Sequence, residues 1–360
     1  MMRRPLTPVW LATPSRFANI SQPAARTIVA LLALLLTVAL ATLSGPAVPL
    51  DTAFYATIVE GVRHGGNFYT VTADALRAGG YPLAPFATFR LPTAAVIQAA
   101  LPNLVVEVLL YFLTAAVAVA WYGRLGTAVR ATQARTAIVI LLVASLAPML
   151  RPGFAALPDL WAGLTIALSL AVRRQGRSLD AIAFGMAAAL LRETAILYLL
   201  VMLAFALAEH RRREAMGWGV ALVVVIAVLA VHAYAVAGVV KPLDDLLFDW
   251  TGMLGMGAFV SAAASATALA WLPLWSAAPI VGLALFGWAT WRDPVASRAL
   301  ATIVATAALI GVFGRDDTPH WVMLVTPLLL SGLVFVPDGL RDLTYAALDS
   351  RRITVTRVIR

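Results

Sequence analysis

The chain has 360 residues, 61% of them hydrophobic and only 12% charged, with no cysteine and a mean hydropathy of +0.88. A soluble domain could not cover such a surface with polar groups, so the class is an all-α polytopic membrane protein. The formal charge of +9 would suit nucleic acid, but the arginine distribution assigns it to topology, and the lack of cysteine excludes disulfides, thiol catalysis and Cys-ligated metals.

A helix crossing ~30 Å of hydrocarbon needs ~20 apolar residues. The first such run is 27–49, and no small-residue cleavage site follows a short apolar core before it, so it is expected to be retained. Residues 50–102 then lie outside the lipid, broken by Gly79-Gly80, Pro82, Pro85, Pro92 and Pro102. Between the breakers, 52–64 and 70–78 read as short interfacial helices, with Phe54, Tyr55, Phe68 and Tyr69 at headgroup depth. Spans follow at 103–122, 136–150, 157–172, 179–191, 194–208 and 217–238. A second outer segment, 239–270, is amphipathic, and its Asp244, Asp245 and Asp249 read as a solvated helix face. Spans 271–291, 299–314 and 319–337 complete a set of ten, and residues 1–360 form one integral-membrane domain with no soluble domain left over.

With the N-terminus inside, 20 of the 27 basic residues fall on the cytoplasmic side, in the N-terminal segment, the short connections and the tail. That asymmetry is what the positive-inside rule expects of a membrane protein with both termini cytoplasmic. The inner connections are arginine-rich stubs without a phosphate-cradling glycine motif. Any chemistry therefore belongs to the outer face.

The unusual polar residues collect there. Asp51 ends span one, Glu107 lies about one turn inside span two, and Arg151 and Asp159 flank the junction of spans three and four. Arg192-Glu193 interrupts an apolar stretch, while Arg315, Asp316, Asp317 and His320 open the last span. Charge at membrane depth costs a few kcal/mol unless it faces a polar cavity or a partner. Against this, Glu107 also reads as a snorkelling end residue, Arg90 as an interface anchor and Arg192-Glu193 as a polar turn. The four histidines show no metal-binding spacing, and His210 and His232 read as structural.

Asp51, Tyr55 one turn later, Gly65-Gly66-Asn67-Phe68-Tyr69, and the run from Tyr81-Pro82 to Arg90-Leu91-Pro92 together resemble the opening of the GT-C superfamily of integral-membrane glycosyltransferases. The likeness is to bacterial polyprenyl-phosphate-dependent mannosyl- or related hexosyltransferases. The "RET" at 192–194 and the "RDDTPHWVMLVTPLLL" of the final span look like later parts of such proteins. Tyr81-Pro82-Leu83 stands where relatives have a double proline, and no second acid adjoins Asp51.

The resemblance implies a lipid-linked sugar donor, an envelope acceptor and the bilayer as partners. Cofactor need stays open between none and a divalent cation (Mg or Mn). Attack by an acceptor hydroxyl requires a general base, for which Asp51 is the candidate. The departing phosphate needs donors in a low-dielectric site, and Arg90, Arg151, Arg192 and Arg315, with His320, are available. Glu107, Glu193 and Asp159 are candidates to orient them or to contact sugar hydroxyls, and Tyr55 and Tyr69 are further substrate-binding candidates. The alternative is a transporter or flippase, which predicts mid-bilayer charges and internal repeats. Neither is visible in the sequence.

Overall fold

The computed structural model describes residues 7–43, 45, 52–245, 253–315 and 318–348. Asp51, Asp249, Asp316 and Asp317 lie outside the described residues. In chain order the helices are α1 (Gln22–Ala41), α2 (Thr52–Arg63), α3 (Phe68–Ala78), α4 (Pro92–Ala99), α5 (Asn103–Ala128), α6 (Thr132–Leu146), α7 (Pro158–Val172) and α8 (Leu179–Leu191). They continue with α9 (Ile196–Ala208), α10 (Arg212–Ala237), α11 (Gly255–Ala266), α12 (Leu274–Thr290), α13 (Pro294–Phe313), α14 (Thr326–Leu329) and α15 (Val336–Leu348). Two isolated bridges are the only β pairing among the described residues.

Five helical stretches are long and apolar enough to cross a bilayer: Gln22–Ala41, Asn103–Ala128, Thr132–Leu150, Arg212–Ala237 and Pro294–Phe313. Five shorter apolar helices pack among them: Pro158–Val172, Leu179–Leu191, Glu193–Ala208, Gly255–Ala266 and Leu274–Thr290. The outward faces of the long helices are apolar, with Leu31, Leu34, Phe112, Val119, Val223 and Val231 exposed. Water would not tolerate so continuous an apolar surface, whereas lipid requires it. Polar side chains such as Thr114, Ser169 and Thr302 turn inward and bond to carbonyls of their own or neighbouring helices.

At the centre lies α7, buried along most of its length. Proline at its first turn, which leaves no amide needing a partner, starts it at Pro158. Against it runs the segment 319–335, expected as a regular span. It is instead a 3-10 stretch (Pro319–Leu324), the single turn α14, and a second 3-10 stretch (Leu330–Phe335). Pro319 and Pro327 interrupt the α ladder, and close backbone contacts hold the result. A Cβ on Gly163 would stand 2.0 Å from the Met323 carbonyl oxygen, and one on Gly287 would stand 1.9 Å from that of Gly332. Irregular backbone at this depth survives because protein, not lipid, surrounds it.

The two ends of the bundle differ. At one end α2, α3 and α4 form a cap. Arg63 donates to the carbonyls of Gln98 (3.0 Å) and Leu101 (3.1 Å) beyond α4, and Gln98 donates to Ala155 (2.9 Å). Residues 255–266 of the second of the two segments form a buried apolar helix packed on α1, α12 and α13.

At the other, basic end the arginine-rich connections meet one another. Arg124 reaches the end of α7, and Arg173 forms a two-bonded pair with Glu214 (2.7 and 2.9 Å). The N-terminal segment is fastened there too. Asp338 of α15 accepts from the amides of Val9, Trp10 and Leu11 at 2.6, 2.8 and 2.9 Å.

Candidate functional site

Where the cap meets the bundle, charged and polar side chains from five stretches of chain converge. Asp159 sits in the first turn of α7 and Arg192 at the end of α8, and both are completely buried. The Arg192 Nε donates to Asp159 Oδ1 at 2.7 Å, and its Nη1 donates to Glu193 Oε1. Glu193 faces a second cation, for Arg90 Nη1 lies 3.4 Å from the same Oε1.

Arg90 comes from the loop before α4 and is only partly buried. Its Nη1 also donates to the Ala87 carbonyl (2.9 Å), its Nε to the Tyr55 hydroxyl (3.4 Å), and its Nη2 lies 3.3 Å from His320 Nε2. Tyr55 and His320 stand edge to face, ring centroids 6.4 Å apart. Asp159, Arg192, Glu193 and Arg90 form a chain of alternating sign whose formal charges sum to zero. That balance lets four ionised groups stay in a low-dielectric setting.

Several polar atoms of this cluster have no partner among the described residues. Asp159 Oδ2, Arg192 Nη2, Glu193 Oε2 and the neighbouring Thr194 Oγ1 and Trp321 Nε1 are all buried there without a hydrogen bond. Buried polar groups are nearly always satisfied in folded proteins, so a mixed set of donors and acceptors here marks a place built for a polar ligand or ordered water.

Of the residues singled out in the sequence, the structure brings together Tyr55, Arg90, Arg192, Glu193 and His320, with Asp159 among them. Others stand apart. Tyr69, at the start of α3, points its hydroxyl at His232 Nδ1 (3.3 Å), and His232 Nε2 lies 3.2 Å from the Phe89 carbonyl oxygen. His232 is therefore a pin between α10 and the cap, in keeping with its structural reading. Glu107 is exposed on α5 and forms no hydrogen bond or ion pair among the described residues. Arg151 is exposed over the Phe154 ring, at 6.0 Å. Arg315 lies two residues beyond the end of α13, its backbone tied to Thr318 (2.8 and 2.9 Å). Asp244, expected as part of a solvated face, instead takes two bonds from Arg77 at 2.8 Å each. Asp51 lies outside the described residues.

Asp159 Oδ1 and Glu193 Oε1 face guanidinium groups, and among the described residues no three His, Asp or Glu side chains gather into a metal-holding group.

Sequence reasoning missed the ion pairs of the basic end, Arg173–Glu214 and Arg298–Glu209 (2.8 Å), whose arginines are buried rather than free in a connection. The signal was present in Glu209 and Glu214 flanking the arginine triplet 211–213. Comparison with protein-family models, with curated proteins and with solved structures finds no match to this chain.

Proposed function

We propose that the protein is a GT-C-like membrane glycosyltransferase. In this reading it moves a mannose-like hexose from a polyprenyl-phosphate donor to a glycan, lipid or protein acceptor of the cell envelope. The cap end then faces the outer side of a bacterial inner membrane and the basic end faces the cytoplasm. The observation carrying the proposal is the convergence of Tyr55, Arg90, Asp159, Arg192, Glu193 and His320 under a cap, with buried donors and acceptors left unpaired.

The chemistry balances as follows. The acceptor hydroxyl oxygen bonds to the anomeric carbon, and the bond from that carbon to the phosphate oxygen breaks with its electron pair leaving on the phosphate. The hydroxyl proton passes to a carboxylate, for which Asp51 is the assigned base. Arg90 and His320 lie nearest the cap and present N–H groups to the departing phosphate. A planar guanidinium suits that anion better than a point charge does. Arg192, enclosed by two carboxylates, serves here as a positioning residue that aims Glu193 at Arg90.

The test uses purified full-length protein in detergent, radiolabelled polyprenyl-phosphate hexoses and envelope oligosaccharide acceptors. Wild type should transfer sugar, and Arg90→Lys should transfer about ten- to a hundredfold more slowly, the worth of one or two charge-assisted hydrogen bonds. Absence of transfer from every donor by folded wild type would defeat the reading. Uptake of donor into sealed vesicles without transfer would replace it with the transporter.

A further inference from the structure

A second polar cavity opens at the basic end, far from the cap. It has a volume of about 370 Å³, within the range of small-ligand sites, and is lined by Arg124, Thr127, Arg173, Arg174, Gln175 and Asp293, among others. The last turn of α5, the exit of α7 and the start of α13 form its walls.

Its arginines are held in place by contacts that do not use all their N–H groups. Arg173 is almost fully buried and spends Nε and Nη2 on Glu214, at 2.7 and 2.9 Å, while its Nη1 forms no hydrogen bond among the described residues. Arg124 uses Nη1 on the carbonyls of Ala171 (2.9 Å) and Arg173 (2.8 Å). Its Nη2 meets Asp293 only at 3.4 Å, and its Nε is buried without a partner. Arg174 is exposed, and its side chain forms no hydrogen bond or ion pair among the described residues.

The charges therefore do not cancel. Glu214 balances Arg173 and Asp293 faces Arg124, which leaves Arg174 in excess. The N-terminal turn of α13, capped by Asp293, adds a partial positive charge.

We propose that this cavity binds a phosphate group, as a monoester or diester. Guanidinium groups with unfilled N–H positions beside a helix N-terminus match tetrahedral phosphate oxygens in both geometry and sign. An anionic phospholipid headgroup and a soluble phosphate both offer that group. The proposal does not depend on sugar transfer at the cap.

The test is titration calorimetry on full-length protein in a phosphate-free maltoside detergent. The probes are inorganic phosphate, dihexanoyl phosphatidate, and dihexanoylglycerol as a control without phosphate. Wild type should bind at least one of the two phosphate-bearing probes and ignore the control. Preference for phosphatidate identifies a lipid headgroup, and equal binding of both identifies a soluble phosphate. Arg174→Gln, a change at an exposed position, should weaken binding about tenfold, the loss of one charge-assisted hydrogen bond. Asp293→Asn keeps a good helix cap but removes the opposing carboxylate, and should strengthen binding severalfold. The proposal falls if wild type binds neither phosphate probe, if dihexanoylglycerol binds as well as phosphatidate, or if Arg174→Gln stays within about twofold of wild type.

Discussion

Replacing Arg192 by alanine should strand two carboxylates on a single guanidinium. Asp159 and Arg192 have no exposed side-chain surface, Glu193 retains 12%, and Arg90 is the remaining cation, 3.4 Å from Glu193. Removing one partner of a buried pair costs about 3–5 kcal/mol. A ceiling applies, because a stranded carboxylate of ordinary acidity can instead take up a proton for about 4 kcal/mol at pH 7. Unfolding entropy of about 2.1 cal/mol/K per residue gives roughly 0.75 kcal/mol/K for a chain of 360 residues. A deficit of about 3–4 kcal/mol then lowers the melting midpoint by about 4–5 °C. Since proton uptake sets the ceiling, the deficit should shrink by up to about 1.4 kcal/mol per pH unit below neutrality. The double variant Arg192→Met with Asp159→Leu leaves Glu193 and Arg90 as a balanced pair and should recover at least half of the loss. The assay is tryptophan-fluorescence melting of the purified protein in detergent at pH 7 and pH 5. A single variant melting within 1 °C of wild type (about the resolution of such a scan), or a double variant no better than the single, would refute the charge-balance argument.

Asp51→Asn should insert and bind donor normally but lose about 10²–10⁴-fold in transfer rate, and a variant within about threefold of wild type would remove Asp51 as the base. Cysteine placed at Asn67, exposed at the cap, should react with an impermeant thiol reagent in intact cells, while one at Ser178, at the basic end, should not; the reverse pattern would invert the topology. Hydrogen bonds from Arg77 hold the Asp244 carboxyl down to about 2, so the tie between α3 and residues 241–245 is complete above the unfolded value near pH 4. It is lost as pH falls from about 4 through 2, which amide exchange at Leu83, bonded to the Asp245 carbonyl, should report as faster opening. Gly163→Ala would push a Cβ into the Met323 carbonyl and should cost at least the 1–3 kcal/mol (about) typical of overpacking, visible as a lowered melting midpoint.

Much of the site could be read from the sequence because charge is costly in apolar surroundings. Arg192, Glu193, Asp159 and His320 stand out against their neighbours, and the arginine asymmetry places them at one end of the bundle. Depth, however, does not imply adjacency. Glu107 sits at the right level, but the buried stripe of α5 runs through Val106, Leu110, Thr114, Val117 and Trp121, which turns Glu107 away. No pattern could reveal that phase, since nearly every position on the helix is apolar. Tyr69 likewise lies in the cap but belongs to a contact with His232 that joins residues 163 positions apart. Helix ends were set too short at residues 103–122, 217–238 and 299–314. Arg124, Arg212, Arg213 and Arg298 continue the helices that carry them, and Arg124 and Arg298 find carbonyl or carboxylate partners there.

The irregular stretch 319–335 links the fold to the site. A regular helix needs one face for each neighbour, but this segment is enclosed by α6, α7, α12 and α13 and must fit between them. Its 3-10 turns, tighter and longer per residue than α, thin the segment so that Gly163 and Gly287 can approach its backbone. On α7, Gly163 lies one turn beyond Asp159, and on the facing segment Met323 lies one 3-10 turn beyond His320. The Gly163–Met323 contact therefore sets His320 at the level of Asp159, where Arg90 comes down from the cap to meet it. Pro319 and Pro327 in the last apolar run, with Gly163 on α7, are thus the residues through which the core sets the depth of the charged cluster. A span built only of leucine and valine would cross the membrane equally well, but it could not bring its backbone this close to α7.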